Sequence, residues 1–278
     1  KSFVVLNKFL KNYIGKTFST VHILPFFPSS SDGGFSIIDF FKVEKKHGSW
    51  KDIKTISKNY KVMIDVVLNH GSKKSKWFKN FLINSGEGKN FYYSLNKNIN
   101  VSNVIRARSH KLLQKVSTKK GIKYLWCTFS PDQIDFDYKN PEVLLMFLKI
   151  IKFILNHGGL IFRLDAVAFL WKRIGSNCVN LDQTHAIVRL IRAFTEKLNS
   201  NSLIVTETNL PFHENLSYFG NSDEAHLIYN FSLAPLIINT LIKGDSNAFR
   251  RWSMGMPPSR LGASYINFLA NHDGLGLR

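Results

Sequence analysis

The sequence predicts an α/β protein whose parallel strands are arranged as a barrel. Apolar runs of strand length alternate with stretches of helical pattern, which is typical of parallel strands joined by helices. Several of these runs end in short polar stretches, and a barrel gathers its reacting groups at the ends of its strands. The length of 278 residues is enough for one large domain with a sizeable core.

Six barrel strands are predicted from apolar runs bounded by polar or turn-forming residues. They cover residues 21–26, 62–68, 160–167, 203–206, 226–231 and 264–269. Side chains at the ends of parallel strands converge on the mouth of a barrel. The polar groups that follow these runs are therefore expected to share one site.

Helices are predicted between the strands. Ser49 and Asp52 have the spacing of a capping box, with Asp in place of Glu, at the beginning of a helix. Asn140 and Pro141 supply an N-cap and a first-turn proline for a helix that continues over residues 142–156. The first residues of the chain place lysines among apolar residues at helical spacing, which indicates an amphipathic helix better than a signal peptide.

A long insertion, residues 74–138, separates the predicted strands 62–68 and 160–167. It is rich in lysine, asparagine and aromatic residues. Because structureless loops of this size are uncommon inside a compact domain, we predict a small inserted subdomain. Residues 1–73 and 139–278 then form the catalytic barrel.

The composition limits the classes of partner. The net charge of +19 is compatible with nucleic-acid binding, but the lysines are scattered along the chain and form no compact basic block. No apolar run reaches the roughly 18–20 residues that span a bilayer, so no membrane partner is predicted. Cys127 and Cys178 lie in no CxxC pair, which favours a reduced, cytoplasmic protein.

Two carboxylates in the polar stretches are candidates for catalysis. Arg163 and Asp165 are two apart on a predicted strand, so both side chains should point to one face. A neighbouring cation typically lowers the pKa of a carboxyl group by about 1–3 units and so favours an ionised nucleophile. Glu207 follows an apolar run, where a carboxylic acid can stay protonated and donate a proton. A structural ion pair and a solvated turn residue are the plain alternatives.

Four stretches together have a more specific pattern: DVVLNH (65–70), RLD (163–165), ETN (207–209) and NHD (271–273). In order and spacing they resemble the four signature regions of the α-amylase superfamily, glycoside hydrolase family 13. The resemblance implies a (β/α)8 TIM barrel, incomplete here with about strands 2 to 7, and a small subdomain inserted after strand 3. By comparison with the family, the first strand is expected before Lys1 and the eighth after Arg278, so we expect the chain to be a fragment that is inactive and poorly soluble alone.

The resemblance also implies a role for each residue of the motifs. Asp165 is the expected nucleophile of a retaining mechanism and Glu207 the general acid and base. Asp273 is expected to bind ring hydroxyls of the donor sugar more strongly as the transition state forms. Arg163 is expected to orient Asp165. His70 and His272 are expected to donate hydrogen bonds to hydroxyls of the same ring.

A further stretch, LPFFPSSSDGGFSIIDF (24–40), is similar to the sucrose phosphorylase branch of the superfamily, and in particular to its glucosylglycerate phosphorylase-like members. The similarity implies that Asp32 binds the far hydroxyls of the donor glucose and that Phe35 flanks the pocket. TFSPDQID (128–135) is also similar to that branch and adds Phe129 and Gln133 as pocket residues. The phenylalanines could instead belong to the core, and Asp32 could be a turn residue beside a glycine.

The predicted function is a retaining glucoside phosphorylase that transfers an α-glucosyl group from sucrose or a related small glucoside to inorganic phosphate. Phosphate is then a substrate, and no cofactor is predicted. Asn69 occupies the place of a calcium ligand in calcium-dependent amylases, but no carboxylate cluster accompanies it, so no metal is predicted. A hydrolase or transglucosidase of the same superfamily is the alternative, and a non-catalytic binding protein is a more distant one. The leaving group and the oligomeric state stay open.

Overall fold

The computed structural model describes residues 1–259, 261–272 and 274. Its strands are β1 (Thr20–Ile23), β2 (Lys61–Val67), β3 (His70–Ser72), β4 (Ser94–Leu95), β5 (Leu113–Thr118), β6 (Gly121–Trp126), β7 (Gln133–Asp135), β8 (Gly159–Asp165), β9 (Leu203–Thr206), β10 (Leu227–Tyr229) and β11 (Ser264–Ile266). Its α-helices are α1 (Ser2–Phe9), α2 (Trp50–Ile56), α3 (Lys76–Ile83), α4 (Pro141–Asn156), α5 (Asp182–Leu198), α6 (Phe212–Ser217), α7 (Leu233–Lys243) and α8 (Asn247–Met254).

One six-stranded sheet forms the centre of the fold, in the order β1-β2-β8-β9-β10-β11. Every neighbouring pair in this order is parallel, and the six strands are those that the sequence predicts. Several observed strands are shorter at their carboxyl ends than predicted. The last, for example, ends at Ile266 instead of residue 269. The chain leaves the sheet early at these points because the following residues form the loops of the site. The described strands make a half-barrel.

Helices cover the sheet with apolar faces that the sequence pattern specifies. In α4, Asn140 caps the first turn by accepting a hydrogen bond from the Glu142 N–H at 3.1 Å. The helix has the predicted length and packs against β8 and α5. Its buried residues are Val143, Met146, Phe147, Ile150, Ile151 and Ile154. The capping box of α2 is also confirmed, since the Asp52 carboxylate accepts from the Ser49 N–H at 2.8 Å.

The insertion is folded against the mouth of the sheet. It contains α3 and an antiparallel sheet in the order β4-β6-β5. Its last strand, β7, returns to pair antiparallel with β3, which follows β2 directly. This pairing places His70 opposite Asp135 and Ser72 opposite Gln133. The pairing thereby brings residues that are far apart in the chain, such as His70 and Asp135, to the same end of the sheet.

Among the residues that the structure describes, no helix is long and apolar enough to cross a bilayer.

Candidate active site

Arg163 is the centre of a buried charge cluster at the carboxyl end of the sheet. β2 and β8 pair with Asp65 directly opposite Arg163, and Asp165 follows two residues later on the same face. The guanidinium Nη1 donates to Asp65 Oδ1 at 2.5 Å and to Asp165 Oδ1 at 2.8 Å. These carboxylates raise the pKa of Arg163 despite the opposing effect of its burial. The residue is therefore a fixed positive charge between two acids.

The pKa of Asp165 differs from the sequence expectation. Burial raises this pKa to about 8, and the charges of Glu207 and Asp65 add to the rise, whereas Arg163 opposes it. Arg163 does lower the pKa of Asp165, as the sequence predicts, but the net shift is upward because burial and the charges of Glu207 and Asp65 outweigh that effect. The motif contains neither the burial of the carboxyl group nor the two neighbouring carboxylates.

Glu207 lies next to Asp165 because adjacent parallel strands end together. β8 and β9 pair with Leu164 opposite Thr206, so Asp165 and Glu207 are the next residues on neighbouring strands. Glu207 is half-buried, and its Oε2 accepts a hydrogen bond from the Ala166 N–H at 3.0 Å. Ala166 has a φ of 51°, in the left-handed region that non-glycine residues seldom adopt. This strained residue directly follows Asp165 and fixes the two acids relative to one another.

A chain of polar side chains joins three of the predicted sugar-binding residues. The Gln133 side-chain amide donates to Asp32 Oδ2 at 2.8 Å and lies 3.1 Å from His70 Nε2. Burial lowers the pKa of His70 to about 4, so its imidazole is neutral at pH 7. Among the described residues, no group hydrogen-bonds the buried Gln133 Oε1. These groups can therefore bind hydroxyls as neutral donors and acceptors beside one carboxylate.

Aromatic rings line the same region. The Phe35 ring stacks on His272, with centroids 5.2 Å apart and planes 11° from parallel. The Arg163 guanidinium lies 6.0 Å from the Phe35 centroid and 5.6 Å from that of Tyr229. Phe129 lies 5.2 Å from the His70 ring, and both phenylalanines are only partly buried. Phe35 therefore lies beside Arg163, and Phe129 lies beside His70. The predicted Asp273 lies outside the described residues.

Sequence reasoning missed a second buried cation, Lys172. Its Nζ lies 2.8 Å from Asn69 Oδ1 and 2.8 Å from Asp135 Oδ2, and its side chain is 1% exposed. Asn69 in turn donates to Asp135 Oδ2 at 2.9 Å. Asn69 occupies the place of a calcium ligand in calcium-dependent amylases, and in this structure its side-chain oxygen accepts from the Lys172 ammonium group. The signal in the sequence was a lysine directly after the apolar run AFLW (168–171).

The described residues contain no group of three or more His, Cys, Asp or Glu side chains that could hold a metal ion.

His22 is another residue that the sequence did not single out. It lies on β1 with Nε2 2.8 Å from Asp65 Oδ2, on the far side of Asp65 from Arg163. A histidine on a strand gives no sign in sequence that it faces a carboxylate 43 positions later.

Comparisons with known proteins identify the family of the chain. The family model for the alpha amylase catalytic domain matches residues 10–274. A glucosylglycerate phosphorylase of Spirochaeta thermophila is 44% identical over 272 residues, which are 98% of this chain and 46% of the relative. A glucosylglycerate phosphorylase of Escherichia coli is 39% identical over 279 residues, covering 100% of this chain and 50% of the relative. A sucrose phosphorylase of Agrobacterium vitis is 28% identical over 289 residues, covering 99% and 57%.

A solved structure is similar over nearly the whole chain. The crystal structure of sucrose 6F-phosphate phosphorylase from Thermoanaerobacter thermosaccharolyticum has a TM-score of 0.88 at 26% identity, covering 99% of this chain and 57% of that one. The chain thus spans about half the length of the curated relatives it matches. The extent of the family match and the identity to these relatives show that the chain belongs to the α-amylase family, glycoside hydrolase family 13, beside its glucoside phosphorylases.

Proposed function

We propose that the protein containing this chain is a retaining glucoside phosphorylase, which transfers an α-glucosyl group from a small glucoside to inorganic phosphate. The observation that carries the proposal is the placement of Asp165, held by Arg163, beside Glu207 at the ends of neighbouring strands. The family membership supports the same chemistry, because the three relatives described above are glucoside phosphorylases.

In the first step, Asp165 attacks the anomeric carbon of the donor and Glu207 protonates the leaving oxygen. The bond from carbon to the leaving oxygen breaks as the bond to the Asp165 carboxylate forms. This step needs an ionised Asp165, although burial raises the pKa of that group in the free site. We propose that, with the donor bound, Glu207 donates its proton to the glycosidic oxygen while Asp165 is ionised beside Arg163.

In the second step, a phosphate oxygen attacks the β-glucosyl-enzyme and releases Asp165. Glu207 takes the proton that phosphate loses, and the product is α-glucose 1-phosphate with net retention. Phosphate is a substrate in this scheme, and we propose that no metal or cofactor takes part. Lys172 beside Asn69 and Asp135 supports the absence of a structural calcium ion at that place.

The donor glucose is proposed to lie between the polar chain and the aromatic walls. The residues assigned to its binding are Asp32, Phe35, His70, Phe129, Gln133, Arg163, His272 and Asp273. Neutral His70 brings no charge into the pocket, and its Nε2 accepts from the Gln133 amide nitrogen at 3.1 Å. Gln133 Oε1 is an acceptor that is buried and available to a ligand hydroxyl.

For the donor itself, we propose a glucosylglycerate before sucrose. The relatives named glucosylglycerate phosphorylase are 39–44% identical to this chain, whereas the sucrose phosphorylase of Agrobacterium vitis is 28% identical. Sucrose is the second candidate; the sequence predicted sucrose or a related small glucoside and left the leaving group open.

We further propose that residues 74–138 act as a subdomain inserted in the barrel. The antiparallel sheet of β4, β5 and β6 supports the subdomain.

We also propose that the protein works in the cytoplasm on small molecules. Cys127 and Cys178 are both unpaired and buried, which fits a reducing compartment. The scattered lysines support neither nucleic acid nor membrane as a partner.

The test uses the complete product of the gene that encodes this chain. Glucosylglycerate, sucrose and sucrose 6F-phosphate are offered with and without phosphate, and glucose 1-phosphate and free glucose are measured. We expect phosphate to accelerate cleavage of glucosylglycerate and to convert the product to α-glucose 1-phosphate. Free glucose as the sole product at saturating phosphate would instead identify a hydrolase.

A further inference from the structure

One carboxylate oxygen outside the charge cluster collects three serine hydroxyls. Asp132 Oδ2 accepts from Ser30, from Ser31 at 2.7 Å and from Ser36 at 2.7 Å. We call these three serines and Asp132 the serine cradle. Burial alone would raise the pKa of Asp132, but the three hydroxyls and the charge of Lys73 outweigh it and lower the pKa. The carboxylate is therefore charged over the working pH range.

The direction of each hydrogen bond follows from the chemistry of the partners. A carboxylate can only accept, so the single proton of the Ser30 hydroxyl goes to Asp132. Ser72 Oγ lies 2.5 Å from Ser30 Oγ and must then donate to it. The Ser72 oxygen in turn accepts from the Lys74 N–H at 2.9 Å. A continuous chain of hydrogen bonds therefore runs from the Lys74 N–H after β3 through Ser72 and Ser30 to Asp132, and it holds the loop after β1.

The loop held by the cradle is strained at Asp32, the residue assigned to the donor glucose. Asp32 has a φ of 56° and is followed by Gly33 at 60° and Gly34 at 117°. A side chain at Gly34 would bring its Cβ to 2.6 Å from the Pro25 carbonyl oxygen. Left-handed backbone at a non-glycine residue persists when the surroundings over-determine it. The cradle encloses this turn, since Ser31 directly precedes it and Ser36 closes it.

Asp132 also directly precedes Gln133, whose amide donates to the Asp32 carboxylate at 2.8 Å. Two neighbouring residues of the insertion therefore hold one loop of the barrel. Asp132 holds the turn through the serines, and Gln133 holds the Asp32 side chain. Together they set where the Asp32 carboxylate stands relative to His70, which lies 3.1 Å from the same Gln133 nitrogen.

We propose that Asp132 is a positioning residue for donor recognition: through the serine cradle it holds Asp32 in the strained turn that presents its carboxylate to the far hydroxyls of the donor glucose. The proposal rests on the proposed function. Asp132 acts on the sugar only through the loop. Its loss should therefore weaken discrimination for those hydroxyls more than it weakens chemistry at the anomeric carbon.

The experiment compares the complete enzyme with Asp132→Ala and Asp132→Asn, using α-glucosyl fluoride and its 4-deoxy analogue. A site that hydrogen-bonds a hydroxyl rejects the analogue lacking it, and we expect a preference in kcat/KM on the order of 10²-fold for the parent enzyme. In Asp132→Ala this preference should fall towards about 10-fold, while KM for phosphate is unchanged. Asp132→Asn keeps an oxygen acceptor for the serines and should recover most of the preference.

Asp137→Ala is the matched control. Asp137 is in the same segment, and its carboxylate accepts from the Lys139 N–H at 3.1 Å within its own turn. It should keep the full preference. A preference that stays unchanged in Asp132→Ala would overturn the proposal, because a role in stability alone lowers activity on both donors equally.

Hydrogen exchange separates this proposal from the proposed function. The Ser30 N–H donates to the Ser36 carbonyl at 3.0 Å, and the Phe35 N–H donates to that of Asp32 at 3.0 Å. Both amides should exchange at least about 10-fold faster in Asp132→Ala than in the parent or in Asp137→Ala. If the parent cleaves neither fluoride, the proposed function fails and exchange decides the role of Asp132. Unchanged exchange would then overturn it.

Discussion

Two buried aspartates at the same end of the sheet, Asp165 and Asp135, are held in opposite ways. Asp135 receives donors on both oxygens: the Thr128 N–H at 2.9 Å, the Thr128 hydroxyl at 2.6 Å and Asn69 at 2.9 Å, with the Lys172 ammonium at 2.8 Å. Asp165 accepts from Arg163, which it shares with Asp65, and it lies close to the charge of Glu207.

We interpret the difference as that between a structural carboxylate, Asp135, and the proposed nucleophile, Asp165. A buried charge that is fully hydrogen-bonded gives a rigid junction, here between the insertion and the barrel. A buried acid that shares its cation with another carboxylate keeps a raised pKa and a high free energy when it is ionised. Attack on an anomeric carbon makes use of that reactivity.

The strongest test of the comparison removes the reactive carboxylate. Asp165→Asn in the complete enzyme should lower kcat by about 10³-fold or more, equivalent to about 4 kcal/mol of barrier, because an amide cannot form the glycosyl ester. The measurement is release of glucose 1-phosphate, with Asp137→Asn as a carboxylate control that keeps its activity. A variant that retained a tenth of the activity would remove Asp165 from the role of nucleophile.

The partner acid should show a dependence on the leaving group. Glu207→Gln should lower the rate about 10²- to 10⁴-fold with an alcohol leaving group, which needs a proton. With α-glucosyl fluoride the loss in the first step should be much smaller, because fluoride departs with little protonation. Pre-steady-state release of fluoride and of the alcohol measures the first step with each donor. Equal losses on both donors would contradict the assignment of Glu207.

Lys172→Met tests the structural role of Asp135. Removal of one partner of a buried ion pair leaves Asp135 uncompensated, which typically costs about 3–5 kcal/mol of the free energy of unfolding. Denaturant unfolding measures this cost. The double variant Lys172→Met with Asp135→Asn removes both charges and should recover a large part of the stability. If the single variant were as stable as the parent, the junction would not depend on this pair.

A further test is a pH-dependent difference in stability. The pKa of Asp165 is about 8 in the fold and about 3.8 when the chain is unfolded. The folded state therefore holds this proton more tightly, and the stability that it contributes is lost as the pH rises from about 4 through 8. Asp165→Asn lacks this loss, so its Tm should exceed that of the parent by more at pH 8 than at pH 5. Each kcal/mol corresponds to about 2–4 °C in Tm. A difference in Tm that is the same at both pH values would mean that ionisation of Asp165 does not destabilise the fold.

Local patterns in the sequence determined the elements and the position of the reactive groups along them. The apolar runs predicted all six strands of the central sheet, and Asn140 with Pro141 predicted where α4 begins. The spacing of Arg163 and Asp165 predicted that both lie on one face, which their hydrogen bond confirms. These features depend on neighbours within a few residues, which is the range that periodicity and capping describe.

Only the tertiary structure decided the electrostatics. Lys172 meets Asn69 across 103 positions of the chain, Asp132 meets Ser30 across 102, and Arg163 meets Asp65 across 98. The direction of the Asp165 pKa depends on burial and on Asp65 and Glu207, none of which the motif RLD contains. Charge interactions and desolvation act through distance in space, and that distance exists only after β2, β8, β9 and the returning strand β7 have come together.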